Sequence, residues 1–193
     1  MRTRSERTQG DEAAAASVAQ ASPTDAPGEF RVAVTKDSFV FASAHFITYQ
    51  GHKCETLHGH NYRVGVVLEG AIDPESWYVY DFVTLKRTMR QLCDEIDHRV
   101  LLPLHNPKLE VREEGDMVSV LYEGKPRYLF PRRDCAMLPV PNTTVEMLAR
   151  YLVTRLRTEL DPEKLSLLRV IEIEVEENFG QSAVYRERME SEG

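Results

Sequence analysis

The chain of 193 residues has little cysteine, no excess of basic charge and no long apolar run. Its three cysteines, Cys54, Cys93 and Cys135, are odd in number and lack paired spacing, which argues against a disulfide framework and for a reducing compartment. Lys and Arg total 24 against 31 Asp and Glu, a net charge of -7, and no basic cluster stands out to neutralise phosphates. A nucleic-acid partner is therefore not expected. No run reaches the roughly 18 apolar residues of a membrane span, and the N-terminus lacks the charged, apolar, small-residue order of a secretory signal. A cytoplasmic location without membrane contact is the expectation. What remains is 42% hydrophobic content, enough to build the core of one domain.

Residues 1–28 carry Arg2, Arg4 and Arg7, then Ala13 to Ala16, then Ser, Pro, Thr and Gly, with almost nothing to bury. They read as a disordered tail, followed by a single domain over 29–188 and a C-terminal tail at 189–193. Alternating β-branched and aromatic residues from Phe30 to Phe46 and from His60 to Glu69 predict an antiparallel strand pair. Asp81 is placed to cap a helix with Leu85, Met89, Leu92, Cys93 and Ile96 on its apolar face, ending near Asp97-His98. A second helix starts at Thr143 or Thr144, carries Met147, Leu148, Tyr151, Leu152 and Leu156, and stops before Asp161-Pro162. Strands over Leu168 to Glu176 and Ser182 to Arg186, turning at Gly180, complete a ββααββ order. Between the helices, about 103–140, the pattern predicts an inserted β-hairpin.

Chemistry concentrates in Cys54-Glu55-Thr56-Leu57-His58-Gly59-His60. On a strand, His58 and His60 share a face, and His45 at the end of a neighbouring strand can supply a third nitrogen. Three imidazoles with an open fourth position suit a catalytic zinc ion. Cys54 reads in two ways: as a fourth ligand closing the site, or as a base whose thiolate is favoured by the metal and by Lys53. Cys93 reads as core, and Cys135, His52 and His105 are assigned no role. Asp97-His98 is a carboxylate beside an imidazole at a helix end, commonly a surface pair but able to fix a tautomer. Glu174, Glu176 and Glu177 read as a solvated face, or as an acid able to bind a guanidine-like edge.

Taken in order, Phe41-Ala42-Ser43-Ala44-His45, Gly51-His52-Lys53-Cys54, His58-Gly59-His60-Asn61-Tyr62, Asp81-Phe82, Asp97-His98, Asn142-Thr143-Thr144-Val145-Glu146, and Glu177 followed by Tyr185 form a known pattern. The chain resembles the superfamily of 6-pyruvoyl-tetrahydropterin synthase and 6-carboxytetrahydropterin synthase over roughly residues 30 to 187. The resemblance implies an α+β tunnelling fold (T-fold), a four-stranded antiparallel sheet with two helices on one face. Barrel closure by oligomerisation is implied as well, in a hexamer made of two trimers. It further implies a zinc-dependent lyase acting on 7,8-dihydroneopterin triphosphate, with zinc on His45, His58 and His60. Cys54 would be the base, Asp97 and His98 a proton relay reaching a neighbouring subunit, and Glu177 with Thr144 the pterin anchor. The Cys54-to-His58 spacing resembles the queuosine-type 6-carboxytetrahydropterin branch. The alternatives are the 6-pyruvoyl branch, which only eliminates triphosphate, and a zinc-binding oligomer without activity. The insertion and Val145 depart from the family pattern near the pocket.

Overall fold

Alternation of apolar and polar residues lays down two long strands whose inward faces make half of the core. In the computed structural model, which describes residues 29–51 and 53–189, β1 (Phe30–His45) leads through the small hairpin β2 (Thr48–Tyr49) and β3 (Lys53–Cys54) into β4 (His58–Gly70). The tail expected over 1–28, His52 and residues 190–193 lie outside the described residues. β1 and β4 pair antiparallel from Phe30 opposite Gly70 to His45 opposite His58. The register shifts between Val34 and Phe39, where β1 carries extra residues past Gly65. A Cβ on Gly65 would sit 3.3 Å from the Lys36 nitrogen, so the missing side chain is what lets the bulge lie against β4. Because of that shift, Val34 and Phe39 both face inward despite their odd separation.

Helix α1 (Phe82–Asp94) starts at Asp81, whose carboxylate accepts from the Thr84 nitrogen at 2.7 Å, and buries Leu85, Met89, Leu92 and Cys93. Next come β5 (Arg99–Pro103), β6 (Leu109–Glu114), β7 (Met117–Tyr122), β8 (Lys125–Pro131) and β9 (Cys135–Leu138). Helix α2 (Val145–Glu159), the short α3 (Pro162–Leu165), β10 (Leu168–Asn178) and β11 (Gln181–Arg188) complete the chain. α1 packs on β1, α2 packs on β10 and β11, and the helices touch each other, so both cover one face of the sheet. Beneath them Phe41 stacks on Tyr62 at 4.7 Å, with Val64, Val66, Leu68, Ile171, Ile173 and Val175 around the pair.

Two expectations need correction. The sheet has six strands rather than four, in the order β11-β10-β4-β1-β5-β9, with β5 running parallel to β1 and to β9. The insertion is a three-stranded antiparallel meander, β6-β7-β8, rather than a hairpin. Both differences share a cause. The meander brings a second small core of Phe46, Leu102, Val118, Val120 and Cys135, while Leu101 joins the main core. β5 is thus buried on both faces, and its apolar run Val100-Leu101-Leu102 reads as unalternated, as strands in parallel pairings do. Strand β6 escapes a pattern reading because beyond Leu109 and Val111 it presents Glu110, Arg112, Glu113 and Glu114 to solvent. Among the described residues no helix is long and apolar enough to cross a membrane.

Candidate active site

The inward face of β1 and β4 ends in imidazoles. With His45 opposite His58 and Ser43 opposite His60, all three rings project from the helix-covered side of the sheet. Ring centroids lie 4.7 Å apart for His45 and His58, 4.8 Å for His58 and His60, and 5.3 Å for His45 and His60. One ligand nitrogen from each lies within 4.8 Å of the others. Every Nδ1 is oriented by an oxygen: Thr143 O at 2.8 Å for His45, Thr56 O at 2.9 Å for His58, and Asn178 Oδ1 at 3.2 Å for His60. Those oxygens accept, so each proton belongs on Nδ1 and each Nε2 presents a lone pair.

The Nε2 atoms of His45 and His60 are buried and make no hydrogen bond. Oε1 of Glu177 lies 3.3 Å from the first and 3.5 Å from the second, an acceptor facing two acceptors. A cation among them is the arrangement that satisfies all three, and these residues fit a metal on that ground. Burial lowers the His45 pKa, outweighing the Thr143 bond and the Glu177 charge, and so favours the neutral form that a metal needs.

Glu177 is on this face by parity. In β10, Ile171, Ile173 and Val175 point to the core, and Glu177 follows them to lie 3.5 Å from the Tyr62 hydroxyl. Glu174 and Glu176 point the other way and pair with Lys36. Thr144 is the N-cap position of α2, where its side chain makes no capping bond. Its neighbour Thr143, fully buried, is the residue that meets the cluster, through its carbonyl to His45 and its hydroxyl to Phe46 O at 3.0 Å.

Cys54 sits on the hairpin leading into His58, with its thiol 3.7 Å from Glu55 O. Burial pushes the thiol pKa up, the Arg127 guanidinium pulls it down, and the Glu55 carboxylate pushes it up. Lys53 lies at the rim of the same cavity as the thiol, and the cation that lowers the thiol pKa is Arg127 of β8. Glu55 itself escaped the sequence reading, although it stands three residues before His58. Its carboxylate accepts from Tyr49 Oη at 2.9 Å and from Ile47 N at 3.3 Å, and approaches His58 Nδ1 to 3.8 Å.

Asp97 and His98 stand apart from the cluster. Asp97 accepts from Ala42 N at 2.7 Å and from His98 Nδ1 at 2.7 Å, while the exposed His98 shares a cavity with Ala42, Ser43, Ala44, Gly59, His60 and Asn61. Among the described residues the side-chain hydrogen bonds of Asp97 and His98 run to Ala42 N and to each other, and none joins them to the three imidazoles.

Comparison with known proteins adds a second line of evidence. The family model described as 6-pyruvoyl tetrahydropterin synthase matches residues 33–188. A Methanocaldococcus jannaschii protein named as a putative 6-carboxy-5,6,7,8-tetrahydropterin synthase is 34% identical over 151 residues, 78% of this chain and 91% of its own. The crystal structure of the Plasmodium vivax 6-pyruvoyl tetrahydropterin synthase superposes with a TM-score of 0.77 at 33% identity, covering 84% of this chain and 99% of that one. A further P. vivax structure, also at TM-score 0.77 with 32% identity and the same coverage, has alanine in place of a glutamate described as a catalytic residue. A sheet ending in three converging imidazoles, with a matching family model along nearly the whole described chain, places this protein in the 6-pyruvoyl tetrahydropterin synthase family.

Proposed function

We propose that the protein is a zinc-dependent lyase of the 6-carboxytetrahydropterin synthase type, acting on 7,8-dihydroneopterin triphosphate. The observation that carries this reading is the convergence of His45, His58 and His60, with the Glu177 carboxylate facing the buried Nε2 atoms of His45 and His60, which make no hydrogen bond. The name of the M. jannaschii relative supports the choice of branch. A bound zinc would polarise the side-chain hydroxyls of the substrate and acidify the adjacent C–H. Cys54, as thiolate, takes that proton. Glu177 accepts two N–H bonds from the amino-pyrimidine edge, with Thr144 and the backbone at the start of α2 bounding the ring. Asp97 and His98 act from an adjoining copy of the chain, since within one copy their hydrogen bonds run to Ala42 and to each other and none joins them to the imidazoles. Closure of the sheets into a barrel, in a hexamer of two trimers, would bring them to the thiol and would pair the exposed edge β11.

The test is incubation of the zinc-loaded protein with 7,8-dihydroneopterin triphosphate and identification of products by mass. A 6-carboxy product with acetaldehyde is expected; a 6-pyruvoyl product would move the protein to the other branch, and no turnover would favour the zinc-binding oligomer. The Cys54→Ala variant should keep its zinc and lose turnover by at least about 100-fold, the lower range for a proton-transfer group. Lost zinc would make Cys54 a ligand instead.

A second reading moves the base from Cys54 to Glu55. It is favoured by the position of the Glu55 carboxylate, 3.8 Å from His58 Nδ1, and by the catalytic glutamate of the P. vivax relative. Under that reading Glu55→Gln, rather than Cys54→Ala, abolishes turnover.

A further inference from the structure

The meander leans over the hairpin that carries Cys54. Tyr128 of β8 accepts a hydrogen bond from Leu57 N at 3.1 Å and packs against Phe46, the residue after His45, at 5.0 Å between ring centroids. The inserted sheet is therefore fastened to both ends of the histidine cluster. One residue before Tyr128, the Arg127 guanidinium lies over the Tyr128 ring at 5.2 Å and donates through Nη2 to Glu55 O at 3.2 Å. That carbonyl is the same one to which the Cys54 thiol points. Arginine and thiol thus meet at one oxygen, in the wall of a cavity of about 480 Å³ that also holds Tyr49, Lys53 and Tyr122.

Ionisation changes this arrangement in one direction. A thiolate has no hydrogen to give the Glu55 carbonyl, whereas a guanidinium has five N–H donors and keeps them at any working pH. We propose that Arg127, delivered by the meander, is the positioning residue of Cys54, pairing with its thiolate and holding it in place beside the histidine cluster. The thiol proton leaves to solvent when the pair forms; in turnover the thiolate accepts a substrate C–H proton and becomes a thiol again, while Arg127 keeps its protons throughout. This inference rests on the reading of Cys54 as the base.

Other charged and titratable groups face the thiol. Glu55 opposes the thiolate from the same hairpin, although its carboxylate is engaged by Tyr49 Oη and Ile47 N. Tyr122 of β7 lines the cavity, and burial, together with the Glu123 carboxylate beside it, keeps its hydroxyl protonated. Lys53 adds a cation at the rim, exposed to solvent, and Tyr49 closes the wall from β2. Arg127 is the cation that shares the Glu55 carbonyl with the thiol, and burial of the thiol makes a paired charge there count for more.

The test measures thiolate formation directly. Zinc-loaded protein is alkylated with iodoacetamide across pH 6 to 10.5, in which the thiolate sulfur bonds to carbon and iodide leaves, and modification of Cys54 is followed by peptide mass spectrometry apart from Cys93 and Cys135. Arg127→Gln should raise the midpoint by about one pH unit, a fall of about tenfold in thiolate below it. Arg127→Lys should recover at least half of that shift, and Lys53→Gln should move the midpoint far less. A midpoint that Arg127→Gln leaves within about 0.2 unit, or that Lys53→Gln raises equally, overturns the proposal. Should Arg127→Gln fail to fold, Arg127→Met carries the same two arms: a rise of about one unit supports the pairing, and a rise under about 0.2 unit overturns it. Turnover by Cys54→Ala would remove the base assignment and leave the alkylation result standing as a fact about the pair, so the two failures are separable.

Discussion

Asn178 shows how a single side chain sets the chemistry of a neighbour. It is the last residue of β10, one beyond Glu177, and its Oδ1 holds His60 Nδ1 at 3.2 Å while its Nδ2 donates to Gln181 Oε1 at 3.3 Å. The other two imidazoles are oriented by main-chain carbonyls, which substitution does not remove. Asn178 is therefore the one orienting group of the cluster open to a clean change. Asn178→Ala should weaken zinc binding by about 10- to 100-fold, read by competition with a chromogenic chelator, because His60 loses the bond that fixes its tautomer. Asn178→Asp, which still offers an acceptor oxygen, should retain most of the affinity. Equal zinc affinity in the alanine variant would show that the His60 ring is held by packing on Tyr62, whose ring centroid lies 5.7 Å away.

At the scale of elements, the far end of β4 is as constrained as the end that bears the histidines. Gly70 faces Phe30 of β1 on one side and Leu168 of β10 on the other. A Cβ there would fall 2.3 Å from Leu167 O and 2.9 Å from Leu168 Cα, and both are main chain that cannot swing aside. Gly70→Ala should cost about 1–3 kcal/mol in denaturant unfolding by forcing β4 and β10 apart. A loss below about 0.5 kcal/mol would show that the connection into β10 yields. The six elements of the ββααββ order were legible in the sequence because each carries one clean period, of two or of 3.6 residues. So were His45, His58 and His60, since strand parity alone puts them on one face. Parity could also have separated Glu177 from Glu174 and Glu176, counting inward from Ile173 and Val175. β5 and β6 were not legible: one is apolar on both faces, the other nearly polar throughout. Nor was Arg127, which lies 73 positions from Cys54 in the sequence and meets it only because Tyr128 and Phe46 pack. Asp97 and His98 were visible as a pair, but the turn that seats His98 at φ 54, with its nitrogen on Ala42 O, was not.

For the whole molecule, the decisive contrast is between the two faces of the sheet. One is apolar and ends in the histidine cluster. The other is a lattice of Glu69, Glu172, Glu174 and Glu176 with Arg31, Lys36, Arg63 and Arg186. Glu176 is only 3% exposed there, held by Lys36 and Arg63. The Lys36 bond keeps its carboxyl below the usual range, against burial, with Arg63 adding to the effect. Asp73, bonded to Lys164 and Ser76, is depressed as well. A carboxyl depressed in the fold stabilises fully above its unfolded pKa and loses that contribution as pH falls through the folded value. The carboxyl share of the thermal stability should therefore begin to decline below about pH 4.5, the ordinary carboxyl range, and fall further with increasing acidity. On the alkaline side the sign reverses. Burial pushes the Cys93 thiol up to about 12, so its contribution is whole below the unfolded value of 9.0 and declines between the two. Lys36 is raised above 10.5 by the Glu176 bond and adds to the same limb. His45, lowered from 6.5 by burial, begins the decline on the acid side, so a plateau from about pH 7 to 9 is expected, and the variant that tests the carboxyl share of the acid limb is Glu176→Gln. Its destabilisation relative to the parent protein should be full at pH 7 and shrink as pH falls below about 4.5, since protonated Glu176 resembles the amide. A difference that stayed constant from pH 7 to pH 3 would mean that the charge on Glu176 contributes nothing, and that the polar face is held by the shape of its side chains.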